Sequence, residues 1–154
     1  MTIEDDIAFL ERVSVLRRLG APALRILAIG CESYSVDAGQ ILFTAGEAAD
    51  CAYVVQRGSF TLRTERPRDG ELTAETGALL GESALLSDTR RPATAAARED
   101  SVVLRISRAM FLKMLESYPD AAHRLRELIA VRAEQWSREL ETVRAALTRG
   151  TGPQ

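Results

Sequence analysis

Apolar positions change their rhythm twice along this chain. From Ile3 to about Glu32 they recur at helical spacing: Ile7, Leu10, Val13, Leu16, Leu19, then Leu24, Leu27 and Ala28. Gly20-Ala21-Pro22 interrupts that run, which predicts two short helices, the second entered through Pro22. From Tyr34 to Ile106 the texture turns to short β-rich runs split by glycines and acidic turns. Ile41-Leu42-Phe43, Ala52-Tyr53-Val54-Val55, Phe60-Thr61-Leu62 and Val102-Val103-Leu104 are the clearest strands. Gly39, Gly46, Gly58, Gly70 and Gly77 punctuate them at spacings that suit antiparallel hairpins, and this rhythm predicts a small barrel or jelly roll. From Ser107 onward helix returns. Ser107 is suited to cap a helix over Arg108–Ser117, and Pro119 separates it from a long helix reaching about Leu147. Along that last helix Ile129, Ala133, Trp136, Leu140, Val143 and Leu147 form a heptad-like seam among arginines and glutamates. The division is therefore 1–33 helical, 34–106 β, 107–147 helical, and a frayed tail over 148–154.

Composition narrows the function classes. A chain of 154 residues, 46% apolar and 27% charged, suits one domain with a real core and a soluble surface. Its net charge of −2 supplies no global basic field for nucleic acid or anionic lipid. Cys31 and Cys51 are far apart and in no metal or redox spacing, so both read as small buried apolar residues. One histidine, His123, offers no metal cluster. The start is acidic without a signal-peptide pattern, and no apolar run reaches membrane-spanning length, so a cytoplasmic location is expected.

One stretch carries chemistry: Gly77-Ala78-Leu79-Leu80-Gly81-Glu82-Ser83-Ala84-Leu85-Leu86-Ser87-Asp88-Thr89-Arg90-Arg91-Pro92-Ala93-Thr94. A glycine-led turn runs into one turn of predicted helix over Glu82–Leu86, then into a polar loop with two arginines. Glycine lets backbone approach a ligand, and the free amides at a helix start favour an anion. Glu82 can accept hydrogen bonds from a hydroxyl, while Arg91 offers a planar fork to phosphate oxygens. A carboxylate for a hydroxyl and a guanidinium for a phosphate describe a nucleotide sugar-phosphate without identifying one.

The run Gly81-Glu82-x-Ala84-Leu85-Leu86 … Arg91-x-Ala93-Thr94 resembles the phosphate-binding cassette of cyclic-nucleotide-binding domains. That family includes protein-kinase regulatory subunits, cyclic-nucleotide-gated channels and the catabolite activator protein. Upstream, Gly39-Gln40-Ile41-Leu42-Phe43-x-x-Gly46-Glu47-x-x-Asp50-x-x-Tyr53-Val54-Val55-x-x-Gly58 resembles the same family's glycine ladder. The resemblance implies an α+β fold: an eight-stranded antiparallel β-barrel, or jelly roll, flanked by N-terminal helices and two C-terminal helices. It implies that residues 77–97 hold the ligand, with the Gly81 amide and Glu82 carboxylate on the ribose 2′-hydroxyl. Ser83 and Ala84 would line the site, Ala84 presenting its amide. Arg91 would hold the cyclic phosphate, Asp50 would orient Arg91, and Ala93 and Thr94 would complete the motif.

The sequence departs from the pattern at Pro92. The residue after the phosphate arginine usually donates its N–H to the phosphate, and proline has none. Nor does it carry the hydroxyl of cGMP-preferring members, so cAMP is expected to be favoured over cGMP. A missing charge-assisted hydrogen bond of about 1.5–3 kcal/mol lowers affinity by one to two decades. Arg90 competes with Arg91 as phosphate ligand, but only Arg91 keeps the motif's downstream spacing.

Trp136 has two readings, as a seam residue or as a lid stacked on the purine; Arg132, one turn earlier, could instead reach the base. The expectation is a regulatory module without catalysis, needing no cofactor or metal. Cyclic nucleotide would re-pack the C-terminal helices, signalling to a downstream protein. The alternative is a structural or interaction domain that keeps the fold without the ligand. A homodimer through the last helix is expected, with no DNA-binding domain and no membrane partner.

Overall fold

The computed structural model describes residues 2–65 and 70–128. Three helices open the chain: α1 (Ile3–Leu10), α2 (Ser14–Arg17) and α3 (Ala21–Gly30). Thr2 and Asp5 form a reciprocal capping box that starts α1. The sequence suggested one helix before Gly20, but the chain breaks at Val13, whose extended backbone (φ −79°, ψ 116°) separates α1 from α2. Val13 is buried, so the break follows the packing of that residue rather than any helix-breaking residue type. Pro22 lies in the first turn of α3, where its missing N–H costs nothing.

Among the described residues ten strands follow: β1 (Glu32–Val36), β2 (Ile41–Phe43), β3 (Ala48–Ala49), β4 (Cys51–Arg57), β5 (Phe60–Thr64), β6 (Glu71–Ala74), β7 (Leu79–Leu80), β8 (Thr89–Arg90), β9 (Ala93–Ala97) and β10 (Ser101–Ser107). They do not close into one eight-stranded barrel. One antiparallel sheet has the order β1-β10-β4-β7, a second has β2-β9-β5-β6, and β3-β8 is a separate ribbon. The chain passes directly between the two four-stranded sheets at 37–40, 58–59, 75–78 and 98–100, through turns rather than through a strand common to both. At the second crossing Gly58 is obligatory: with φ of +89°, an added Cβ would lie 2.8 Å from the Ser101 Cα.

Alternation along β4 and β10 divides the core in two. Ala52, Val54, Leu104 and Ile106 face the helices, joining Leu10, Leu16, Leu24, Leu27, Phe111 and Met114. Val55 and Val103 point the other way, between the sheets, against Phe43, Phe60, Ala95 and Ala97. After β10, helix α4 (Arg108–Ser117) is capped by the Ser107 hydroxyl, which accepts from the Met110 amide at 3.2 Å. Residues 119–128 are again helical. The seam residues Ile129 to Leu147, with Arg132 and Trp136, lie outside the described residues.

Candidate functional site

The distinctive cluster sits where the cassette meets the inter-sheet space. After β7 the chain turns at Gly81 in the left-handed region (φ 75°, ψ 36°) and enters a 3-10 turn over Glu82–Leu85. Ala84 and Leu85 are buried and anchor that turn, while Glu82 is half-buried and Ser83 exposed. The ribbon then sets the register of the two arginines. The Arg91 amide donates to the Glu47 carbonyl and the Gly46 amide donates to the Arg91 carbonyl, both at 2.8 Å. Side chains alternate along an extended chain, so Arg90 and Arg91 must part company. Arg90 is exposed and donates to the Gly46 carbonyl at 2.8 Å. Arg91 turns inward and is 6% exposed.

Arg91 lies over the ring of Phe43 at 4.4 Å and that of Tyr53 at 5.7 Å, the two rings being stacked 6.0 Å apart. Its Nη2 donates to the Cys51 sulfur at 3.3 Å. Its Nη1 is buried with no hydrogen-bond partner, the one such side-chain polar atom among the described residues. A Cβ on Gly81 would stand 2.2 Å from Nη1, so this guanidinium can occupy its place only because residue 81 is glycine. An unpaired buried donor on a cation is costly, and an acceptor brought to that point would remove the cost. Burial, and then the neighbouring Cys51 thiol, push the Tyr53 hydroxyl up to about 12.

The other expected site residues divide. Pro92 is exposed just outside Arg91, Ala93 opens β9 opposite Thr64, and the Thr94 hydroxyl accepts from the Ala45 amide at 2.9 Å, bracing the 43–46 turn. Asp50 does not orient Arg91. Its carboxylate is largely exposed and stands 3.6 Å from Arg105, the residue paired with Tyr53 across β4 and β10. Nor does the Ala84 amide face a ligand here, since it donates to the Gly81 carbonyl at 3.1 Å to close the 3-10 turn. The Arg132 and Trp136 lid candidates fall outside the described residues.

Several contributors were missed by sequence reasoning. Cys51 was read only as a small buried apolar residue, and Phe43 and Tyr53 only as members of their strands and of the glycine ladder. The signal was available: 51, 53 and 55 share one face of β4. Val13, Ser14 and Val15 form one wall of a cavity of about 420 Å³ whose other wall includes Gly81, Glu82, Ser83 and Pro92. A second, apolar cavity of about 310 Å³ lies between the 3-10 turn and Val15, Phe111 and Leu125. Arg108, the first residue of α4, bolts these parts together. Its Nη1 donates to the Ser87 carbonyl at 2.8 Å, its Nη2 lies 2.6 Å from the Asp88 carboxylate, and its amide donates to the Asp50 carbonyl at 2.8 Å.

Residues 34–118 match the family model described as the cyclic nucleotide-binding domain. The chain is 35% identical over 112 residues to an uncharacterised NTE family protein of Mycobacterium tuberculosis, covering 71% of this chain and 19% of that protein. It is 32% identical over 107 residues to a cAMP-dependent protein kinase regulatory subunit of Yarrowia lipolytica, covering 70% of this chain and 28% of that protein. The matched region is thus a minor part of each of these longer relatives. Among solved structures, a cyclic nucleotide-binding-like protein from Brucella abortus superposes with a TM-score of 0.63 at 40% identity, covering 73% of this chain and 98% of that one.

Proposed function

Since the chain belongs to the cyclic nucleotide-binding domain family, we propose that it is a regulatory module that binds cAMP in preference to cGMP and acts by binding rather than catalysis. One observation carries the reading: Arg91 keeps a buried, unpartnered Nη1 against Gly81 at the cassette. A cyclic phosphate would supply the missing acceptor and the missing negative charge together. Glu82, half-buried one residue on, would accept from the ribose hydroxyl. The preference for cAMP rests on Pro92, which brings neither an N–H nor a hydroxyl to the ligand.

The signal would leave through Arg108. Phosphate binding draws on the loop that contains Ser87 and Asp88, and Arg108 ties that loop to the start of α4. A ligand that binds more tightly to one setting of the loop therefore biases the helices that follow. The receiver is a downstream protein or a further part of a longer polypeptide, and pairing through the seam from Ile129 to Val143 would double the output.

The rival reading is a fold retained without its ligand. It is favoured by Pro92 and by the engaged Ala84 amide, which together withdraw two donors. Thermal unfolding in the presence of cAMP and of cGMP separates the two. At about a hundredfold excess over Kd, binding adds roughly 2.7 kcal/mol, several degrees of melting temperature for a domain of this size. No shift with either nucleotide at millimolar concentration would favour the rival.

A further inference from the structure

We infer that Cys51 is the positioning residue for the phosphate-binding arginine, and that a thiol rather than a carboxylate there reserves the charge of Arg91 for its ligand. The ligand half of this inference rests on the function proposed above; the pairing of Cys51 with Arg91 does not. Cys51 is 3% exposed and its sulfur takes the Arg91 Nη2 hydrogen bond at 3.3 Å. The aromatic faces of Phe43 and Tyr53 hold the plane of the guanidinium, but a ring face does not fix its rotation within that plane. The hydrogen bond to sulfur fixes it, and so directs Nη1 toward Gly81.

The identity of the acceptor matters. Sulfur in a thiol is a weak, neutral acceptor, so it orients the guanidinium without neutralising it. A carboxylate at the same point would satisfy the buried cation from within, and an incoming phosphate would then have to displace it. Asp50, the carboxylate next to Cys51 in the chain, is largely exposed and stands 3.6 Å from Arg105 rather than on Arg91. Cys51→Asp should therefore make the ligand-free protein more stable and the binding weaker, two opposite movements that a merely structural residue would not produce.

The test is a double-mutant cycle on the full chain. Ligand-free melting is compared for wild type, Cys51→Asp, Arg91→Ala and the double variant, with calorimetric titration of cAMP as the binding probe. Cys51→Asp is expected to raise the ligand-free melting temperature by several degrees, and in the Arg91→Ala background to lower it. An equal effect in both backgrounds, including a gain owed to Arg105, overturns the inference. For cAMP, Cys51→Asp should weaken binding by about a hundredfold, Cys51→Ala by about three- to tenfold, and Cys51→Ser, which keeps an acceptor, by less than about threefold. Unchanged affinity in Cys51→Asp also overturns it. Should Cys51→Asp fail to fold, the cycle of Cys51→Ala with Arg91→Ala decides the pairing, additivity counting against it. Wild type that binds neither cAMP nor cGMP would defeat the proposed function alone, because the ligand-free cycle still reports on Cys51 and Arg91.

Discussion

The two faces of strand β4 do opposite things with burial. On the helix side, Ala52 and Val54 meet Leu10, Leu24, Leu27 and Phe111, all at or below 1% exposure, and the environment is apolar. On the inter-sheet side, Cys51 and Tyr53 share their space with Arg91, a cation 6% exposed with an unpartnered nitrogen. The first face lowers the free energy of the fold through removal of apolar surface from water. The second accepts a desolvated charge that raises it, and such a cost is retained where a ligand removes it. The helix side of the strand thus serves packing alone, while the inter-sheet side joins an apolar core around Val55 to a buried cation beside Cys51 and Tyr53.

The sharpest way to break this contrast is one truncation on each side. Leu24→Ala should cost about 2–5 kcal/mol of stability, through lost burial and the cavity left behind, and lower the melting temperature steeply. Arg91→Ala should lose about 2–5 kcal/mol of cAMP affinity while lowering the ligand-free melting temperature far less. Comparable losses of ligand-free stability for the two variants, measured by denaturant unfolding, would erase the distinction between the faces.

A smaller change tests the rim of the site. Pro92→Ala returns an N–H beside the phosphate position and should tighten cAMP by up to about one to two decades, in keeping with about 1.5–3 kcal/mol for a charge-assisted bond. A weaker Pro92→Ala protein in the same titration would mean that the proline holds the loop in shape. Smallest of all is the neighbouring arginine. Arg90 is exposed and bonded to the Gly46 carbonyl, so Arg90→Ala should change affinity by about 0–1 kcal/mol. A loss as large as that of Arg91→Ala would show that the wrong arginine has been assigned to the phosphate.

How far the sequence reveals these two faces depends on whether the information is local. The Ser107 cap, the Gly81 turn and the strands around Phe43, Val54, Phe60 and Val103 were legible because their signals lie within a few residues. Motif spacing singles out Arg91 over Arg90, and the ribbon between β3 and β8 supplies the local frame in which Arg91 is buried and Arg90 exposed. The closed barrel was not legible correctly, since whether a turn ends one sheet or continues it depends on pairing across the fold. The two-residue strands β3, β7 and β8 are too short to carry a periodic signal. Asp50 was expected from the motif to orient Arg91, yet its exposed carboxylate stands beside Arg105, a cross-strand neighbour that no local pattern names. The wall formed by Val13, Ser14 and Val15 is a contact across more than sixty residues of chain, which no local pattern encodes.

The central claim is that the orphaned nitrogen of Arg91 marks a phosphate site, and calorimetric titration of cAMP and cGMP into the wild-type protein tests it most directly. The account predicts saturable binding of one molecule per chain, tighter for cAMP, abolished or weakened at least about thirtyfold in Arg91→Ala. Absence of heat and of any melting shift for both nucleotides at millimolar concentration, or binding unaltered by Arg91→Ala, would contradict it.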